Sequence, residues 1–93
     1  SSTADSHIYR IDPLRGAENF AVWKVRMSHI LTDLGYDTHV EEKATPPTDP
    51  AELARWNKAD RKALSTIVLR VADNVLVYVS KATTAKEAWT ALS

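Results

Sequence analysis

The chain has 93 residues, with twelve basic residues balanced by twelve acidic ones and 44% apolar content. That length makes one domain that buries only a little over ~60% of the surface its unfolded chain exposes, so large apolar side chains must carry the core. Zero net charge argues against a domain that grips nucleic acid through phosphates, and the absence of cysteine rules out disulfides, thiolate metal sites and thiol catalysis within these residues.

The opening Ser1–Ser6 is polar and reads as a disordered tail or a remnant of expression. Residues 7–93 read as a single helical lobe. In residues 7–15 the apolar positions are Ile8 or Tyr9, Ile11 and Leu14, and Pro13 prevents a helix through them. An extended arm packed onto the body is expected, with Gly16 as a flexible turn after it.

The first helix is expected from about Glu18 to Leu34. Phe20, Trp23, Met27, Ile30, Leu31 and Leu34 recur at steps of three and four, Glu18 suits the positive amino end, and Gly35 is a C-cap signal. Residues 36–48 form a loop anchored by Tyr36 and Val40 and stiffened by Pro46-Pro47. Thr48-Asp49-Pro50 then opens a second helix, a capping residue followed by proline. Leu53, Trp56, Ala63, Leu64, Ile67 and Val71 share one face, which carries that helix to about Val71.

Val75–Val79 is β-branched, and propensity alone favours a strand. No second strand exists to pair with it, which favours a short buried helix. Thr84 with Glu87 forms a capping box for the last helix, whose apolar stripe is Ala85, Ala88, Trp89 and Leu92. The expected fold is all-α: a compact bundle of about four helices with an extended N-terminal arm.

Chemistry is thinly represented. His7, His29 and His39 show no HxxxH or carboxylate spacing and read as three surface histidines. Glycine-rich phosphate loops and GxSxG are missing, so no catalytic, metal or cofactor site is expected. Asp60 stands at the centre of the second helix's apolar face, where a charge is costly unless paired. It is either a perturbed carboxylate in a site or, preferably, a structural acceptor of a hydrogen bond from a tryptophan indole N–H or from Lys24. The core is assigned to Phe20, Trp23, Met27, Leu31, Trp56, Asp60, Ile67 and Trp89. On the first helix Val22 and Val25 lie opposite the main stripe, either as scattered surface valines or as a second contact face covered by the arm or by another molecule.

Leu14-Arg15-Gly16-Ala17-Glu18-Asn19-Phe20-Ala21-Val22-Trp23-Lys24-Val25-Arg26-Met27 resembles the opening of copia-type retrotransposon Gag polyproteins, which reads approximately L-x-G-x-N-[FY]-x-x-W-x-x-x-[ML]. One residue is inserted here between glycine and asparagine. Trp56, Asp60, Ala63 and Ile67 are similar to that family's W-x-x-x-D-x-x-A-x-x-x-I segment, and Thr84–Leu92 to its T-A-K-E-A-W-D-x-L helix. Tyr36 departs from the tryptophan many relatives carry after the first helix.

The resemblance implies the N-terminal lobe of a Gag capsid, retained in an element or domesticated by a host. Such a lobe is non-catalytic, cytoplasmic, and packs with its own copies into a virus-like shell around RNA. More capsid helices would follow Ser93, and RNA would be held by regions outside this chain, with no membrane involved. On that reading Ile8, Tyr9, Ile11, Val22, Val25 and His29 are the interface candidates. The other readings are an adaptor that takes a peptide or protein in a groove between helices and arm, and a DNA-binding helical domain, which the neutral charge disfavours.

Overall fold

A computed structural model of the chain describes residues 10–92. Four α-helices follow one another: α1 (Ala17–Leu34), α2 (Pro50–Val68), α3 (Asp73–Val79) and α4 (Ala85–Leu92), with a 3-10 turn at Asp37–His39. No strand occurs among the described residues, and the all-α expectation holds. The expected Ser1–Ser6 tail, together with His7, Ile8 and Tyr9, lies outside the described residues.

Each helix boundary has a local cause. Gly35 sits at φ 82°, ψ 20°, a left-handed conformation that suits glycine, and α1 ends there. The Tyr36 N–H donates back to the Leu31 carbonyl at 2.7 Å and the Gly35 N–H to that of Thr32 at 3.1 Å, the paired bonds of a Schellman end. The Asp49 carboxylate accepts from the Glu52 N–H at 3.1 Å, and Pro50 occupies the first position of α2, where its missing N–H costs nothing. At α4 the Thr84 hydroxyl accepts from the Glu87 N–H at 3.1 Å. The other half of the expected capping box is replaced, because the Glu87 carboxylate takes the Thr83 hydroxyl at 2.8 Å.

Val75–Val79 is helical, within α3, as the lack of a partner strand required. The second helix is shorter than its periodicity suggested. It stops at Val68, and Val71 instead forms an isolated parallel bridge with Leu14. The Leu14 N–H donates to the Arg70 carbonyl at 3.0 Å, and the Ala72 N–H to the Leu14 carbonyl at 2.9 Å. An apolar residue at helical spacing can serve a bridge equally well, since burial is all that periodicity reports.

The arm is therefore tied down from Leu14 onward. Asn19 clamps it, accepting from the Arg15 N–H at 3.0 Å and donating to the Pro13 carbonyl at 2.9 Å. From α3, Asn74 donates to the Arg15 carbonyl at 2.8 Å.

Met27, Ala63, Ile67, Ala85 and Ala88 are fully buried, and α2 and α4 make the most extensive helix pair. Alanines at 63, 85 and 88 let those two backbones approach closely, which sets the packing density at the centre. Trp23 and Leu31 close the core from α1. Phe20 and Trp89 are partly buried against it. Trp23 and Trp89 meet with ring centroids 6.0 Å apart, whereas Trp56 leaves that cluster and packs on His39.

Candidate functional site

The polar groups of the interior form two ties. The first centres on the Arg70 carbonyl, which accepts both the Leu14 N–H and the Trp23 indole N–H, the latter at 2.8 Å. Its own guanidinium donates to the Thr66 carbonyl at 2.9 Å, and burial lowers the proton affinity of this side chain below its ordinary value.

The second tie centres on Asp60. One carboxylate oxygen lies 3.2 Å from Nδ1 of His39, and the other accepts the Ala85 N–H at 3.3 Å. His39 is only 5% exposed, and its ring lies 4.0 Å from that of Trp56, tilted by 32°. This corrects two expectations. Asp60 is the structural acceptor foreseen, but its donors are His39 and a backbone N–H; the Trp23 indole bonds elsewhere, and Lys24 lies over the rings of Phe20 (5.5 Å) and Trp89 (5.4 Å).

His39 is likewise not a surface histidine. No local pattern signalled it: Tyr36 and Val40 are half-buried, but Thr38 between them is exposed, and His39 is buried because Asp60, far along the chain, offers it a polar partner.

What this pair does is mechanical. A carboxylate at the amino end of α4 satisfies one of the helix's unpaired N–H groups and meets its positive dipole end. Through His39 the same group fixes the 36–48 loop, so loop, α2 and α4 share one anchor. No buried side-chain polar atom lacks a partner among the described residues. No cluster of three or more His, Cys, Asp or Glu able to hold a metal occurs among them either.

The outer surface is where apolar groups lie open. Val22 and Val25 are each 60% exposed and His29 is exposed, while Trp23, Met27, Ile30 and Leu31 of the same helix are buried. Glu18, Val22, Val25, His29 and Thr32 succeed one another at steps of four and three, which draws one straight stripe along α1. A shallow recess lined by Asp12, Asn19, Val22, Trp23 and Arg26 borders the stripe where the arm crosses the helix.

Ile11 of the arm is half-buried against the core.

A separate apolar groove of about 360 Å³ runs between the start of α1, α3 and the end of α4, lined by Leu14, Gly16, Ala17, Phe20, Val75, Tyr78, Ala91 and Leu92. Tyr78 and Val77 beside it are more than 70% exposed. No feature of the sequence pointed to this groove, because three elements far apart in the chain build it.

Neither the curated proteins nor the solved structures gave a significant match. A family model for gag-polypeptide of LTR copia-type, a structural and non-enzymatic domain family, matches residues 27–93. That span contains the Trp56–Ile67 segment and the Thr84–Leu92 helix, while the Leu14–Met27 motif meets it only at its last residue. Two motifs inside a match that covers more than half of the sequence settle the assignment: the chain belongs to the copia-type LTR gag-polypeptide family.

Proposed function

We propose that the chain is a capsid subunit lobe that works by associating with copies of itself to build a protein shell, without catalysing a reaction. Membership of a Gag family supports a capsid-like structural role. The observation that carries the association is the outer stripe of α1, where Val22 and Val25 remain 60% exposed on a helix whose other face buries Trp23, Met27, Ile30 and Leu31. Neighbouring exposed valines on one helix face, flanked by Glu18 and His29, are a surface a second helix can fit by interdigitation. Repeated over many subunits, contacts that are individually weak sum to a stable shell. On this reading the lobe acts in the cytoplasm, needs no cofactor, and leaves RNA to regions outside the chain.

Val22→Lys combined with Val25→Lys places two charges in the stripe without touching the core. The expected outcome is a shift to monomer in light scattering across a concentration series, with an unchanged helical circular dichroism spectrum. Unaltered association would exclude the α1 stripe as the contact, and an unmodified chain that stays monomeric at every concentration would remove self-association altogether.

The groove beside Tyr78 supports a second reading, an adaptor lobe that takes an apolar peptide. At about 360 Å³ it falls within the ~300–1,000 Å³ of ordinary ligand sites.

A further inference from the structure

Net neutrality conceals a strong division of charge along this chain. Residues 33–52 contain Asp33, Asp37, Glu41, Glu42, Asp49 and Glu52 with Lys43 alone opposing them. Residues 53–72 contain Arg55, Lys58, Arg61, Lys62 and Arg70 with Asp60 as the one acid. In the fold Asp60 and Arg70 are both buried. The outward side of α2 is thereby left with arginines and lysines and no carboxylate beyond Glu52 in its first turn.

Geometry keeps Glu41 and Glu42 from reaching Arg55, Lys58 and Arg61 within one molecule. His39 anchors the acidic loop to Asp60 and packs it on Trp56, so the loop is held on the inward side of α2. At about 100° per residue, Lys58 lies about 160° around the helix from Asp60, and Arg55 about 140°. A helix with its side chains is ~10–12 Å across, which separates the opposed charges by more than a direct ion pair spans. Among the described residues, Arg55, Lys58, Arg61, Glu41 and Glu42 accordingly take part in no ion pair.

The geometry points to a second contact between copies of this chain, in which the acidic loop around Glu41–Glu42 of one copy docks on the Arg55–Lys58–Arg61 face of the next. This deepens the proposal that the lobe associates with itself and rests on it. Charge complementarity identifies the occupant: every copy carries the exposed Arg55, Lys58 and Arg61 on one side of α2 and the exposed pair Glu41 and Glu42, beside Lys43 and Lys86, on the other. A contact between two different patches is head-to-tail, and its repetition gives a ring where the rotation closes or a growing array where it does not. The α1 stripe, which pairs like with like, stops at a dimer by itself. The charged contact supplies the propagation a shell requires. Several exposed charges acting together add modest affinity but set register and speed encounter.

The test is a charge exchange on the full 93-residue chain. Arg55→Glu, Lys58→Glu and Arg61→Glu together form one variant, and Glu41→Lys with Glu42→Lys the other; all five positions are exposed, and circular dichroism checks the fold of each. Each variant alone is expected to associate about tenfold more weakly beyond the dimer, in sedimentation at about 50 mM salt, and their mixture is expected to recover association. Raising salt to about 500 mM should weaken the unmodified chain by a similar factor. Association that ignores salt and both variants overturns this contact while leaving the α1 stripe intact, and a mixture that fails to recover overturns it too. A chain monomeric throughout removes both proposals. If that monomer binds labelled single-stranded RNA, and the triple variant does not, the basic face belongs to nucleic acid and this inference is wrong.

Discussion

The tie at Arg70 and the tie at Asp60 hold similar amounts of structure by different chemistry. At Arg70 the acceptor is a backbone carbonyl, which gathers the arm through Leu14 and α1 through the Trp23 indole. At Asp60 the acceptor is a side chain, which gathers the 36–48 loop through His39 and the start of α4 through the Ala85 N–H. A carbonyl survives any substitution at its own residue, whereas a carboxylate is lost with its side chain. The first tie is consequently encoded in its donors and the second in its acceptor.

The comparison breaks most visibly at Trp23. Trp23→Ala removes both the indole donor and a ring that is 2% exposed, and an unfolding free energy lower by about 3–5 kcal/mol is expected in urea titration. At roughly 4–8 °C per kcal/mol for a domain of this size, that loss brings the folded state close to its limit.

Asp60→Ala should follow. It strips His39 and the Ala85 N–H of their acceptor at once, and unmade bonds of buried groups cost about 1–3 kcal/mol each, so a loss of at least about 2 kcal/mol is expected in the same titration. Amide exchange should accelerate first in the 36–48 loop and at the start of α4. Unchanged exchange at those two places would show that Asp60 does not anchor them.

The smallest effect sharpens the comparison. Arg70→Met removes a guanidinium whose burial carries a desolvation penalty and leaves the carbonyl that Leu14 and Trp23 use. Stability should change by less than about 1 kcal/mol in either direction, and the Trp23 indole proton should keep its hydrogen-bonded chemical shift. A large loss would mean that the side chain, not the carbonyl, organises this tie.

Most of the helical architecture was legible in the residues. The stripe from Phe20 to Leu34 and the glycine at 35 delimit α1 to within a residue, and Asp49-Pro50 and Thr84 mark the starts of α2 and α4 by side chains that cap them. These are local devices, and local devices act through spacings of a few residues that can be read directly. The same reading set Val22 and Val25 apart as the outward pair, which their exposure matches.

What local spacing could not carry is anything joined across the chain. His39 and Asp60 stand 21 residues apart, the Trp23 indole and the Arg70 carbonyl 47, and no periodicity links either pair. Val71 kept its helical phase yet left the helix to bridge Leu14. The sequence by itself therefore determined which segments coil and which face of each turns inward, because hydrophobic period and end-capping are properties of neighbours. Only the tertiary structure decided how the buried charges are matched and where the groove opens. It also held the acidic loop on the side of α2 opposite its basic face. Those outcomes depend on which surfaces meet, and two ties, His39 with Asp60 and Lys86 with the Glu42 carbonyl, hold that loop in place.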